Sequence, residues 1–265
     1  MRQMKILVFV KQVPDTEALV EALDDSSLKV EEKFEMSFFD TLAVEEALRL
    51  KEKHGGTVTA VTVGPERAGE VLRTCLALGA DSVFRIWDEA LAPVVTDVFT
   101  DSLSVARVLA AVAKHLGFDL ILCGKQALDD DAAAVGVMTA ALLEIPFVTA
   151  VTSVKAEEGS IRVKQKRDGA EREIKCELPA LLSAEKGLNE PRQPQVMKVM
   201  KAARAKIDAM DLAALKIQAD AIISTVKPVS FTVPDKARSI SIIEGEPADA
   251  AAELVRRLRE ERQAL

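Results

Sequence analysis

The chain has 265 residues, with 35 basic and 42 acidic side chains, a net charge of −7, 49% hydrophobic residues and 29% charged ones. That balance belongs to a globular protein with room for a sizeable core, built as one large α/β domain with an appendage or as two small domains. It argues against nonspecific nucleic-acid binding by the body, and 4% aromatics with no Tyr and one Trp leave little to build a base-stacking platform from.

Met1-Arg2-Gln3-Met4 leads directly into Lys5-Ile-Leu-Val-Phe-Val10, without the pattern of a signal or transit peptide. The longest nearly apolar run, Ala132 to Leu143, is too short to span a bilayer. The expectation is a cytoplasmic protein without membrane insertion. Cys75, Cys123 and Cys176 are odd in number and far apart, which suits reduced core residues. With only His54 and His115 as imidazoles, each near a predicted helix end, neither a metal site nor His-based catalysis is expected.

Ile6 to Val10 predict a first buried strand, and Lys11-Gln-Val-Pro-Asp15 the turn that leaves it. Residues 15–37 read as a charged, irregular excursion. Apolar positions 43, 44, 47, 48 and 50 place an amphipathic helix over Thr41 to Lys53, stopped by Gly55-Gly56. The β-branched run Thr57 to Val63 is the next strand, closed by Gly64-Pro65. A helix follows over Glu66 to Leu78, with Gly79 as its stop. Ser82 to Ile86 make a third strand, and Asp101 to His115 a third helix after an acid- and proline-rich loop.

Leu120 to Cys123 are the next buried strand. Gly124 begins a polar turn, and Asp131 stands where an N-cap is wanted for a helix from Ala132 to Leu143. Strands alternating with helices in this way predict a mostly parallel, doubly wound α/β sheet of Rossmann-like type. After Pro146 come a strand from Phe147 to Val154 and a hairpin, Ile161 to Lys166 and Glu171 to Leu178, turning at Asp168-Gly169. Together with the apolar run Ala180 to Ala184 these read as an antiparallel addition.

The α/β domain is therefore placed at 1–190. Residues 191–265 are too sparse in apolar positions for a core of their own. They read as an arm that packs on another chain or back on the domain. A last amphipathic helix is predicted over Ala248 to Arg262.

Carboxyl ends of parallel strands are where open α/β sheets bind ligands. The turns gathered there are Phe9 to Lys11, Val63-Gly64-Pro65 and Gly124 to Val135. No GxGxxG, GxxxxGK[ST] or GxSxG motif occurs. Asp119-Leu-Ile-Leu-Cys-Gly-Lys-Gln-Ala-Leu-Asp-Asp-Asp-Ala-Ala-Ala-Val-Gly136 has two readings. It is an ordinary turn with an acidic start, or a phosphate site whose aspartates face away or engage other donors.

In order and spacing, several segments resemble the beta subunit of electron-transfer flavoproteins along nearly the whole chain. They are Val8-Phe-Val-Lys-Gln-Val-Pro-Asp15, Ala43-Val-Glu-Glu-Ala-Leu-Arg-Leu-Lys51, Val61-Thr-Val-Gly-Pro65 and Leu72-Arg-Thr-Cys-Leu-Ala-Leu-Gly-Ala-Asp81. The strongest are Gly124-Lys-Gln-Ala-Leu-Asp-Asp-Asp131 and Leu188-Asn-Glu-Pro-Arg192 running into Met200-Lys-Ala202.

The resemblance implies an adenine-nucleotide-binding fold and an electron-carrier subunit rather than an enzyme. Its partner would be an alpha subunit holding FAD, its electron donors acyl-CoA dehydrogenases of fatty acid oxidation, and its acceptor a quinone-linked oxidoreductase. A structural AMP would lie among Phe9, Ser37, Phe38, Phe39, Asp40 and Val63, with Gly124, Lys125, Gln126, Ala127, Leu128, Asp129, Asp130, Asp131, Ala132, Ala133, Ala134 and Val135. Electron-bifurcating relatives hold a second FAD there and oxidise NADH. They read Asp-Gly-Asp-Thr where this chain has Asp129-Asp-Asp-Ala132, which favours AMP. The family often has Asn-Pro where this chain has Ser37-Phe38. By position, Val196 with Met197 would be the apolar anchor that docks a dehydrogenase.

Overall fold

The structure, a computed structural model, describes residues 3–24, 27–96, 99–224, 226–233 and 240–261. It opens with β1 (Met4–Phe9), β2 (Gln12–Pro14), β3 (Val20–Asp24), β4 (Ser27–Val30) and β5 (Phe34–Met36). The region read as irregular thus folds into two small antiparallel pairs, β2 with β5 and β3 with β4. The βα pattern follows with α1 (Phe38–His54), β6 (Gly56–Val63), α2 (Gly69–Leu78), β7 (Ser82–Ile86), α3 (Ser102–Leu116), β8 (Leu120–Gly124) and α4 (Val135–Leu143). Next come β9 (Phe147–Glu157), β10 (Ser160–Arg167), β11 (Ala170–Glu177) and β12 (Ala180–Ala184). Last are α5 (Val196–Ala203), β13 (Ala209–Met210) and α6 (Pro247–Glu260).

Nine strands form one sheet in the order β11-β10-β9-β12-β8-β1-β6-β7-β13. Strands β12, β8, β1, β6 and β7 are parallel to their neighbours, and the β10–β11 hairpin is antiparallel, as its Asp168-Gly169 turn predicts. One expectation is corrected. Ala180–Ala184 is not part of the antiparallel addition but lies between β9 and β8, parallel to both. All five residues of β12 are buried, which suits an interior parallel strand covered on both faces.

Alternation along the strands divides the interior in two. Ile6, Val8, Leu120, Leu122 and Leu182 meet Leu42, Leu48 and Leu72 of α1 and α2 on one face. Leu7, Val61, Ile121 and Leu181 meet Val105, Val108 and Leu109 of α3, with Ala140 of α4, on the other. Each such fully buried Leu or Ile contributes about 2 kcal/mol. Aspartates past the regular elements stitch the sheet: Asp81 accepts from Val58 N–H and Asp119 from Lys5 N–H, both at 2.8 Å.

One compact unit runs from Met1 to Phe231 and a second from Thr232 to Leu265. The segment just after 190 packs back onto the α/β body. Ala202, Leu212, Leu215 and Ile222 are buried, and β13 joins the sheet edge beside β7. In the second unit α6 buries none of its residues, and Glu253 pairs with both Arg256 and Arg257.

Candidate functional site

In the sheet, β1 passes through α1 to β6 on one side, while β8 lies on its other side. The strand order therefore reverses between β1 and β8, where such sheets form a ligand crevice at their carboxyl ends. A cleft opens there, about 760 Å³ when the solvent at its mouth is included. Its apolar wall is Phe9, Val61, Val63, Val95, Val105 and Leu109, and its opposite rim is Gly124 to Ala127, Asp130 and Ala132 to Gly136.

The helix expected from Ala132 begins at Val135, and Asp131 is not its N-cap. Turn chemistry wins over helix propensity across residues 127–134. Asp131 has φ 48° and its N–H donates to Ala127 O, while its carboxylate accepts from Gln126 Nε2 at 2.6 Å. Asp130 Oδ1 accepts from Ala132 N–H at 3.0 Å. Ala133 also has positive φ, 51°. Alanine in that region costs about 1–2 kcal/mol, the kind of strain that persists where surrounding contacts impose it.

The N-cap of α4 is thus Ala134, which supplies no side-chain cap. Its first N–H groups have no partner within the helix, and the residues that carry them line the cleft. The aspartates do not repel an anion there as bare charges. Lys11 Nζ lies 2.7 Å from Asp129 and 3.1 Å from Asp130, closing over the crevice from the β1 side. Lys125 is taken by Glu185 at 2.7 Å and stands over the Phe39 ring at 4.9 Å.

Asp40, in the first turn of α1, is 7% exposed. Its Oδ2 accepts from Lys11 N–H and its Oδ1 from Gly124 N–H, each at 2.8 Å. Burial pushes its carboxyl up to about 7, against the two N–H groups and the Lys11 ammonium, with Asp129 adding to the rise. Gly124 is required beside it, since a Cβ there would stand 2.6 Å from Asp40 Oδ1. Burial, with Asp40 nearby, raises the Cys75 and Cys123 thiols far above their ordinary range, so both stay protonated and inert.

Of the residues proposed from sequence, Phe9, Asp40, Val63, Gly124 to Ala127, Asp130 and Ala132 to Val135 line this cleft. Ser37, Phe38, Phe39, Leu128, Asp129 and Asp131 do not. Ser37 is buried ahead of α1, Phe38 and Phe39 pack edge to face, and Asp129 faces a smaller neighbouring groove. Val10 and Lys11 of the turn after β1 also line it, and Val61, Val95, Thr100, Val105, Leu109, Cys123 and Gly136 complete the lining without being anticipated. Val105 and Leu109 lie on the amphipathic stripe of α3, a pattern that says only that they are inside.

Val196 and Met197 stand apart at the start of α5, 74% and 76% exposed. Lys198, Lys201 and Arg204 beside them make no ion pair among the described residues. The segment leading to α5 is tied to α1. Asn189 donates to Leu42 O and Glu46 at 3.0 Å, and Arg192 clasps Glu45 and Glu52. Burial would raise the Glu45 carboxyl, but Arg192 and Arg49 outweigh it and hold it below its ordinary value.

Comparison with known proteins agrees with the architecture. The model of a family described as electron transfer flavoprotein domain matches residues 28–215. Electron transfer flavoprotein subunit beta of Bacillus subtilis (strain 168) is 35% identical over 265 residues, covering 97% of this chain and 98% of the relative. The protein of the same name from Mus musculus is 34% identical over 268 residues, with 98% of each chain covered. That from Homo sapiens is 38% identical over 218 residues, covering 79% of this chain and 82% of its own.

Proposed function

The chain belongs to the electron transfer flavoprotein family, and on that premise we propose that it is the beta subunit of a heterodimeric electron carrier with a structural AMP in the switch-point cleft. The observation that carries the nucleotide reading is the uncapped start of α4 inside that cleft. Backbone N–H groups and the helix dipole suit a single phosphate. Lys11 and Lys125, the cations of the lining, are already paired, which suits a monophosphate better than a longer polyphosphate. The wall of Phe9, Val61, Val63 and Leu109 suits the flat apolar faces of a base.

No side chain of this subunit takes a catalytic role. FAD, held mainly by the alpha subunit, supplies the electron-transfer chemistry, and this chain contributes orientation and docking. Electrons arrive from acyl-CoA dehydrogenases and leave to a quinone-linked oxidoreductase, in the cytoplasm. Among the described residues no helix is long and apolar enough to cross a membrane. Val196 and Met197 would anchor the dehydrogenase, ringed by Lys198, Lys201 and Arg204 that steer encounter with an acidic partner.

The nucleotides released on denaturing the purified heterodimer test the reading. One AMP per beta chain and one FAD per heterodimer are expected. Two flavins, with rapid bleaching by NADH, would replace it by an electron-bifurcating subunit that holds a second FAD in the cleft.

A further inference from the structure

The ladder between β1 and β8 ends early. Ile6, Leu7 and Val8 pair with Leu120, Ile121 and Leu122, and no pairing continues beyond them. Past that point each strand follows its other neighbour. Val10 N–H donates to Val61 O on the β6 side, and Lys125 N–H to Ala184 O on the β12 side. The sheet splits, and the split is the cleft. Lys11 N–H and Gly124 N–H face each other across it with no strand between them. The side chain that accepts from both is Asp40, buried beneath the opening and held in the first turn of α1.

We propose that Asp40 is a positioning residue for the cleft: its ionised carboxylate, accepting from Lys11 and Gly124 at once, fixes the separation of the two halves and so sets how tightly a nucleoside monophosphate is held. The affinity part rests on the nucleotide reading above; the clasp itself does not. An ionised carboxylate offers lone pairs to both N–H groups. A protonated one carries an O–H on one of these oxygens, which leaves that oxygen uncharged and a poorer acceptor, so its bond weakens. Asp40 meets Lys11 from the β1 turn, Asp129 and Asp130 from the loop after β8, Cys123 of β8 and Cys75 of α2. Lys11 is paired with both aspartates, the thiols stay protonated, and burial raises the Asp40 carboxyl toward neutrality. That carboxyl titrates at about 7, so the clasp engages as pH rises through that value. By reciprocity, bound nucleotide pulls the Asp40 carboxyl down.

The test uses the full chain in its heterodimer, freed of nucleotide, with AMP as the probe. Affinity is titrated from pH 5.5 to 8.5 for the wild type and Asp40→Asn, which has the shape of the protonated acid. AMP's own second ionisation, at about 6, affects both proteins alike. The wild type is expected to bind about tenfold more tightly than the variant at pH 8, the advantage vanishing below about pH 6. Equal affinity at pH 8, or one advantage at every pH, overturns the proposal.

Amide hydrogen exchange at Lys11 and Gly124, corrected for intrinsic rates, reads the clasp without nucleotide. Protection should fall in the wild type as pH drops through about 7, and be low in Asp40→Asn throughout. Protection that is flat with pH in the wild type overturns the clasp even if the variant does not fold. Absence of AMP binding by the wild type overturns the nucleotide reading and the affinity claim with it, while the exchange profile still decides the clasp.

Discussion

Replacing Arg192 with Met keeps the length of the side chain and removes the charge that ties the α5 segment to α1. Arg192 Nε lies 2.8 Å from Glu45 Oε2, and its Nη2 lies 3.2 Å from Glu45 Oε1 and 3.0 Å from Glu52 Oε2. Its two partners differ in environment. Glu52 is mostly exposed, so that half contributes at most about 1 kcal/mol. Glu45 is 4% exposed, and a hydrogen bond to a buried charge contributes roughly 1.5–3 kcal/mol. Glu45 keeps Arg49 at 2.6 Å, which places the loss at the low end.

A total near 2 kcal/mol corresponds to a fall in Tm of roughly 4–8 °C for a body of this size. Glu45's folded pKa is depressed, so its contribution is present above the ordinary value of about 4.3 and is lost as pH falls through the lower folded value. The Tm gap between wild type and Arg192→Met should therefore close as pH falls below about 4. Scanning calorimetry across pH, repeated in a Glu45→Gln background, measures this. An unchanged Tm at neutral pH, or the same loss when Glu45 is already Gln, would refute the reasoning.

Gly124→Ala should destabilise the body by about 1–3 kcal/mol and lower nucleotide content. The new Cβ meets Phe39 Cβ at 2.7 Å and Asp40 N at 2.9 Å, neither free to move, and thermal unfolding with nucleotide assay after denaturation checks it. Val196→Ala and Met197→Ala should shift Tm by no more than about 2 °C, as fits such exposed positions, and slow electron transfer from the cognate dehydrogenase several-fold. Stopped-flow reduction at varied dehydrogenase concentration decides it, and unaltered rates in the double variant would remove α5 from the docking site.

The alternation of strands and helices is written in local pattern. Ile6 to Phe9 and Leu120 to Cys123 are apolar, and Val58 to Val63 is broken only by Thr59 and Thr62, because interior parallel strands bury both faces, and Gly55, Gly79 and Gly117 end their helices with positive φ. Asp168-Gly169 announces its hairpin because two consecutive residues must take positive φ there, 53° and 75°. Family motifs likewise point to the turn after β8, since that turn is contiguous.

What periodicity could not carry was the partner of each polar group. Lys11, Asp40 and Gly124 are separated by 29 and 84 residues, and nothing near Asp40 in the chain says that its carboxylate spans a split sheet. Asp129, Asp130 and Asp131 look alike in sequence, yet two pair with Lys11 and the third with Gln126. The bonds from Ala132 N–H to Asp130 Oδ1 and from Asp131 N–H to Ala127 O hold a turn there instead, and α4 begins three residues later than its pattern suggests. Ala180 to Ala184 reads as any short strand; its place between β9 and β8 depends on which faces of distant elements are buried together. Local sequence determined the elements, because backbone preference and hydrophobic period act over a few residues. Tertiary structure decided the cleft and its clasp, because hydrogen bonds to buried charges form only after distant strands have met.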